Sequence, residues 1–203
     1  MNNINLILAE LRKMKNIVLI LLFVGLVLFY YKSLITEVVK KEIDIDPVKE
    51  DINNNIIIQQ MLNNLMLKYG ADRSYIFQFS NSIMYYDNTH RNHTNMSFEV
   101  CADGISYEGP NLQNLPVSLF PNFLQLVMLD RMTYSDVNEI KEEATKLTLK
   151  KQGIKSVYIA PYFKEGKFVA YVGLDYVKSN NNCDFNYREF KSLTNEIGRI
   201  LCE

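Results

Sequence analysis

The stretch "GIKSVYIAPYFKEGKFVAYVGLDYVKS", residues 153–179, carries the strongest local signal for the fold of this chain. It contains two apolar runs joined by the turn "KEGK" (164–167), a pattern that predicts a β-hairpin near the C-terminus. The hairpin makes at least one pair of strands antiparallel. Its second run also carries Gly173 and Asp175, two residue types that are depleted in strands. The fold therefore has to accommodate a glycine and a carboxylate inside this hairpin.

The segments on either side of the hairpin predict a mixture of helices and strands. Asp46 followed by Pro47 begins a helix whose apolar stripe stops at Gly70. Asn186, three residues before Glu189, caps the last helix. An antiparallel sheet with the first and last helices on one face and the middle segments on the other would bury every apolar stripe, so the fold class is α+β. The other predicted elements are strands at 73–80 and 95–104 with an Asn-rich loop at 81–93 between them, and middle helices at 120–129 and 134–153.

Alternation along the second strand predicts which side chains share a face. A carboxylate such as Glu99 in mid-strand faces either solvent or a pocket, and if buried it needs a partner such as Arg73 or Lys155. The expected apolar side is Met96, Phe98, Val100 and Ala102, and the expected polar side is Ser97, Glu99, Cys101 and Asp103. In the second middle helix, the expected buried stripe is Val137, Ile140, Ala144 and Leu147.

Residues 16–35, "NIVLILLFVGLVLFYYKSLI", form an apolar segment that could cross a bilayer. The run from Asn16 to Tyr31 has no charge, and a membrane span needs about 20 residues with a lower limit of about 17. Lys32 can snorkel to extend it. We predict an uncleaved single-pass anchor, with a cleaved signal peptide and a buried helix as the alternatives. The predicted transmembrane residues include Ile17, Leu22, Gly25 and Tyr31.

The chain is accordingly divided into a polar and basic-flanked tail (1–15), the anchor (16–35), a linker (36–47) and a globular domain (48–203). Basic residues flank the span almost equally, so the positive-inside rule does not orient it. Three cysteines at wide spacing indicate free thiols rather than a zinc site or a disulfide framework, which favours the cytoplasmic side for the domain. A net charge of −1 with scattered basic residues argues against nucleic-acid binding.

Three stretches resemble the GAF domain, a small sensory α/β fold. They are "ADRSYIFQF" (71–79), "LQNLP" (112–116) and the hairpin region 151–176. In that family the closing hairpin has a strand ending in proline, a turn around glycine, and a strand ending in an aliphatic-aspartate pair. The corresponding features here are Pro161, Gly166 and Leu174-Asp175. The order and spacing of these stretches carry the resemblance, which covers residues 48–203.

More narrowly, the chain resembles small membrane-anchored GAF-like proteins of phage and bacterial genomes. Those proteins carry a Phe-His-Asn-Gly run where this chain has Phe79-Ser80-Asn81-Ser82, so a role for that turn does not carry over directly. The resemblance implies a sensor or binder of a small ligand, for instance a cyclic nucleotide, and no specific cofactor is named. The alternative is a ligand-free module for dimerisation or protein interaction, such as a phage-encoded membrane protein that recruits or blocks a host factor. A homodimer is expected in either case, and no output domain is expected after the closing helix.

No enzymatic activity is predicted. The sequence has no Gly-x-Ser-x-Gly elbow, phosphate-binding glycine-rich loop or dinucleotide fingerprint. His90 and His93 lie on the Asn-rich loop without a third metal ligand, so no metal site is predicted. The candidate ligand-binding residues, chosen as polar groups on strands and turns beside the expected cavity, are Glu99, Asn81, Ser97, Asp103, Asn114 and Asp175. For Asp175, termination of the strand is the preferred alternative role.

Overall fold

The structure is a computed structural model of the 203-residue chain, and it describes residues 18–19, 21–36, 46–84, 90–130, 133–134, 136–178 and 185–202. It divides into two units, Met1–Asp51 and Ile52–Glu203. In the first unit, residues 21–36 are helical and contain three of the predicted transmembrane residues, Leu22, Gly25 and Tyr31. The fourth, Ile17, lies outside the described residues. None of the helices that the structure describes combines the length and the apolar character needed to cross a bilayer.

An antiparallel sheet organises the second unit. Within the described residues it has six strands in the order β3-β2-β1-β6-β5-β4, and every neighbouring pair is antiparallel. The elements are, in chain order, α1 (Pro47–Tyr69), β1 (Arg73–Met84), β2 (His90–Cys101), β3 (Leu115–Pro116), α2 (Pro121–Met128), β4 (Thr133–Tyr134), α3 (Glu143–Lys151), β5 (Ser156–Lys164), β6 (Lys167–Tyr176) and α4 (Tyr187–Leu201), with short 3₁₀ turns at Gly109–Asn111, Val117–Leu119 and Val137–Glu139.

The predicted hairpin and the predicted boundaries of the first helix are confirmed. Glu165 and Gly166 have φ values of 52° and 75°, so the two-residue connection between β5 and β6 has the positive dihedrals of a type I′ turn. At the start of α1, the Asp46 carboxylate accepts a hydrogen bond from the Val48 amide. Gly70 follows the last turn of α1 with φ 59°, a conformation that glycine adopts at little cost.

The two faces of the sheet are covered as the sequence predicts. One core contains α1 and α4 residues, including Leu62 and Phe190, packed against Ile76 of β1. The other core contains Leu124 of α2 and Val137, packed against the sheet residues Tyr75, Phe77, Ile159 and Tyr171. The α+β arrangement with helices on both faces of an antiparallel sheet is therefore correct for this unit.

The first two strands are longer than predicted and contain a β-bulge. β1 extends to Met84 and β2 begins at His90, so most of the expected Asn-rich loop at 81–93 is strand. Ile76 pairs with Phe98 but the next residue pairs with Met96, which leaves Ser97 as the extra residue of a bulge. The bulge moves Met96 to the core opposite that of Phe98, so the expectation that these two side chains share a face is wrong.

The predicted helix at 134–153 is helical only in its second half. Asp136 accepts a hydrogen bond from the Asn138 amide and caps a 3₁₀ turn instead. Glu142 has an extended backbone, and its carboxylate accepts hydrogen bonds from the Asn122 and Phe123 amides at the start of α2. This contact with α2 competes with a helical conformation at Glu142, and α3 begins only at the next residue. The expected buried residue Leu147 is 58% exposed.

Candidate functional site

A buried ionic cluster joins the first, second and sixth strands. Arg73 pairs with Asp175 across β1 and β6, and its Nη1 lies 3.1 Å from Asp175 Oδ2. Its Nε lies 2.9 Å from Glu99 Oε1 on β2. The side chains of Arg73, Glu99 and Asp175 are 0%, 6% and 2% exposed. Glu99 therefore has the arginine partner that its burial requires, whereas Lys155 donates to the Lys178 carbonyl.

The same cluster holds the loop that follows β2. Both oxygens of the Glu99 carboxylate accept from the Glu108 amide, and Oε2 also accepts from the Gly109 amide at 2.7 Å. Arg73 Nη2 donates to the Ser106 carbonyl at 2.8 Å, and Nη1 donates to Gln152 Oε1 just after α3. Backbone amides are good partners for a buried carboxylate because they supply hydrogen bonds without further charge. One guanidinium thus links the sheet to the 102–112 loop and to the end of α3.

A small cavity lies beside this cluster, between the sheet and the helices α2 and α3. Its volume is about 60 Å³. The wall is mainly apolar, and the polar residues that border it include Thr94, Thr145, Thr148, Gln152 and Asp175. Within the described part of the chain, Thr94 Oγ1 and Asp175 Oδ1 have no partner in good hydrogen-bond geometry. The Tyr171 and Tyr75 hydroxyls nevertheless lie close enough to interact with Thr94 and Asp175, and both oxygens are fully buried.

Gly173 explains the glycine in the second strand of the hairpin. A Cβ atom at this position would lie 2.2 Å from Cζ of Tyr75, whose ring borders the cavity. The missing side chain therefore lets the Tyr75 ring lie flat against β6. The ring also stacks edge-on against Phe77, which itself stacks on Tyr171 with ring centroids 5.1 Å apart. These aromatic residues are core, as the sequence predicts, and they form part of the cavity wall.

Burial raises the pKa of Asp175 to about 7, from an ordinary value of 3.8. The Arg73 guanidinium and the Tyr75 hydroxyl act in the opposite direction, and they do not offset the loss of hydration. Burial also raises the pKa of Tyr75 and Cys101, in the case of Cys101 to about 11. Asp175 is therefore the group in this cluster whose charge changes near neutral pH.

This raised pKa predicts a pH-dependent contribution to stability. Between the unfolded and folded pKa values the folded chain binds more protons, so stability from this carboxyl is full at acid pH and is lost as pH rises through about 7. An asparagine side chain cannot ionise, so Asp175→Asn should not lose this contribution. Between about pH 5 and about pH 7.5, we therefore expect the unfolding free energy of the wild type to fall by about 1–3 kcal/mol relative to that of the variant. Urea unfolding at the two pH values measures this. A difference that stays constant with pH would contradict the raised pKa.

The six candidate ligand-binding residues occupy different places. Asp175 borders the cavity, and it lies one residue before the end of β6 rather than terminating the strand. Glu99 lies beside the cavity in the ionic cluster. The other four, Asn81, Ser97, Asp103 and Asn114, are exposed. Ser97 donates to the Ile76 carbonyl, and Asn114 has φ 54° and donates its amide to Asn95 Oδ1. The structure thus brings Glu99 and Asp175 together around Arg73 and places the other four apart from the cavity.

Several residues of the site were not predicted from the sequence. Thr94 lies on β2, Gln152 directly follows α3 and Tyr171 lies on β6. None of them carries a local motif, so only the tertiary fold places them on one cavity. His93 is buried with the strand pair rather than lying on a loop. Among the described residues, no group of three His, Cys, Asp or Glu side chains is arranged to hold a metal ion.

Comparison with known proteins gives structural neighbours only. No family model and no curated protein matches this chain. Solved structures that match it include the photoproduct state of GAF3 from a Synechocystis sp. PCC6803 protein, with 13% identity, a TM-score of 0.56, and 73% of this chain and 92% of that chain covered. The blue-light absorbing form of the Thermosynechococcus elongatus PixJ GAF domain matches with 12% identity, a TM-score of 0.59, and 75% and 86% covered.

A third match is a GAF domain/HD domain protein from Geobacter sulfurreducens, with 9% identity, a TM-score of 0.53, and 73% and 92% covered. These neighbours come from photoreceptors and from a two-domain protein, and what they share with this chain is the arrangement of sheet and helices. Identities this low compare folds rather than activities. The second unit of the chain has the fold of GAF domains.

Proposed function

We propose that this protein is a sensory GAF-type domain that binds a small ligand in the cavity between its sheet and α2–α3. The observation that carries the proposal is the cavity itself, whose mainly apolar wall includes Thr94, Thr145, Thr148, Gln152 and Asp175. Small-molecule sites combine a mainly apolar wall with a few convergent polar groups, and this cavity has that composition.

The size of the cavity limits the ligand. Sites for drug-sized molecules enclose about 300–1,000 Å³, whereas this cavity encloses about 60 Å³. A cyclic nucleotide or a tetrapyrrole does not fit this arrangement of side chains, so the ligand consists of only a few heavy atoms. The link from Asp175 through Arg73 to the Ser106 carbonyl offers a route by which occupancy would alter the 102–112 loop.

Native mass spectrometry of the full chain in detergent micelles tests the ligand and the oligomeric state together. We expect a small mass that is retained after purification, or gained from a panel of metabolites, and lost on denaturation. We also expect a homodimer, because Ile52 and Ile56 lie one helical turn apart on α1 and are 54% and 51% exposed. A chain that stays at its bare mass with every added compound would remove the support for ligand binding.

We also propose that the apolar segment at residues 16–35 anchors the domain to a membrane, with the domain on the cytoplasmic side. Support comes from the described helix at 21–36, whose sequence contains one charged residue, Lys32, and whose large apolar side chains are exposed. Gly25→Arg places a charge near the middle of the segment and should weaken insertion by about 2–3 kcal/mol. The membrane fraction that resists carbonate extraction should fall, whereas Ser33→Arg, beside Lys32, should leave it unchanged. Extraction of the wild-type chain by carbonate would contradict the anchor.

The second candidate function is a ligand-free interaction module at the membrane, such as a phage-encoded protein that recruits or blocks a host factor. The small cavity volume favours it, and Met96 and Leu124 are buried core residues that border the cavity. An enzymatic role is not part of either proposal. The Cys101 thiol, whose pKa burial raises to about 11, is poorly suited to act as a nucleophile at neutral pH.

A further inference from the structure

A second hollow, larger than the cavity, lies between α2 and the segment that precedes α3. It has a volume of about 620 Å³. Its wall consists of Asn122, Phe123 and Leu126 of α2 together with residues 139–142. Asn122, Glu139 and Lys141 are exposed, so this hollow opens at the surface of the domain. We call it the α2 groove.

One side chain, that of Phe123, borders both the α2 groove and the cavity. It is half-buried, and its ring packs edge-on against the ring of Tyr171 in the cavity wall, with ring centroids 6.3 Å apart. A side chain that lines two neighbouring spaces forms the partition between them. Displacement of this one ring would therefore connect the α2 groove to the cavity.

The backbone of Phe123 is held by the carboxylate of Glu142. Phe123 lies in the first turn of α2, where the backbone amides have no partner within the helix. The residue before the helix, Phe120, has no side-chain oxygen that could cap it. Glu142 supplies the cap instead: its Oε1 accepts from the Asn122 amide at 2.9 Å, and its Oε2 accepts from the Phe123 amide at 3.2 Å. The position of the partition thus depends on a residue outside α2.

Glu142 also joins the two helices that cover the cavity. Its Oε2 accepts from the Thr145 hydroxyl at 2.6 Å, and Thr145 is a buried residue of α3 that borders the cavity. The helix α2 has eight residues, a length at which a helix depends on its tertiary contacts. Loss of the Glu142 contacts would therefore free the first turn of α2 while the rest of the domain stays folded.

We propose that the α2 groove is the entrance to the cavity, with Phe123 as the gate that limits the size of the ligand and Glu142 as the positioning residue that keeps the gate closed. The proposal rests on the function proposed above, since it assigns a route of entry to the same cavity. Phe123 selects by size because a molecule that enters has to pass its ring. Glu142 acts through the amides of Asn122 and Phe123, and it borders the groove but not the cavity.

The rate at which a thiol in the cavity reacts with reagents of two sizes tests the gate. Leu112→Cys introduces the thiol, because Leu112 borders the cavity, is 7% exposed and belongs to neither α2 nor α3. The full chain in detergent micelles is treated with methyl or benzyl methanethiosulfonate. Peptide mass spectrometry then compares the modification at position 112 with that at Cys202, which follows the last residue of α4. Because both thiols are in one chain, their ratio cancels the partition of each reagent into micelles.

With Phe123 and Glu142 in place, we expect the benzyl reagent to modify position 112 at least tenfold more slowly than the methyl reagent, relative to Cys202. Phe123→Ala should abolish this difference. Glu142→Ala should raise both rates about tenfold, as expected for the loss of a helix cap. The matched control is Glu143→Ala, which removes the neighbouring exposed carboxylate that borders neither space and should change neither rate.

Entry by global unfolding would show no size preference, because an unfolded chain has no gate. Equal rates for the two reagents, or a difference that survives Phe123→Ala, would therefore overturn the gate, and rates that Glu142→Ala leaves unchanged would overturn the positioning role. If Phe123→Ala does not fold, Phe123→Leu keeps an apolar side chain of smaller size and should reduce the difference. In native mass spectrometry, a retained ligand mass without the size difference overturns the gate alone. A bare mass with the size difference supports the gate and overturns ligand binding.

Discussion

Replacing Arg73 with methionine should destabilise the domain by about 3–5 kcal/mol, because it leaves buried carboxylates without their cation. The guanidinium contacts both Asp175 and Glu99, and its side chain is 0% exposed. Methionine matches the length of the aliphatic stem but supplies no charge and no donor, so the Ser106 carbonyl also loses its hydrogen bond. Urea unfolding followed by tyrosine fluorescence measures the loss, since the chain has 13 tyrosines and no tryptophan.

The matched control for this prediction is Arg188→Met. Arg188 is an exposed arginine on the first turn of α4, and the same substitution there should change the unfolding free energy by less than about 0.5 kcal/mol. Part of the loss at Arg73 should be recovered at low pH, where protonation removes the charge of the carboxylates. Equal effects of the two substitutions would show that the buried cluster contributes no more than surface charge does.

Gly198→Ala should destabilise the domain by about 1–3 kcal/mol, although alanine is the better helix former by about 1 kcal/mol. Gly198 is buried in α4, and a Cβ atom there would lie 2.2 Å from Cγ of Tyr162 on β5. The atom in conflict is at the base of the tyrosine ring, which is fixed by the strand backbone and cannot rotate away. The helix must therefore move off the sheet, and contacts of Phe190 and Ile197 with the core are lost as well.

The control for this prediction is Asn195→Ala. Asn195 is exposed on the same helix, so alanine there should leave stability unchanged or raise it by a few tenths of a kcal/mol. A double substitution, Gly198→Ala with Tyr162→Ala, should cost less than the sum of the two single changes because the collision is removed. Thermal unfolding of the four variants measures this coupling. Strict additivity would contradict the close contact.

Local sequence signals were enough to predict the main helices and strands of this domain and their arrangement in layers. Its signals were local: the Asp46-Pro47 start of α1, the stop at Gly70, the KEGK turn, and the cap at Asn186. Each acts within a few residues of the chain, so it can be read without knowledge of the fold. The apolar stripes then required helices on both faces of the sheet, which the structure confirms.

Features in which a distant segment overrides a local preference could be seen only in the folded structure. The bulge at Ser97 reverses the face of Met96, and the Glu142 carboxylate caps α2 instead of continuing its own helix. Neither is visible in the sequence, because pairing register and cross-element capping depend on the partner segment. The same reason applies to the glycine and the aspartate of the β5–β6 hairpin. Gly173 leaves space for the ring of Tyr75, and Asp175 pairs with Arg73. Both of these partners lie roughly a hundred positions earlier in the chain.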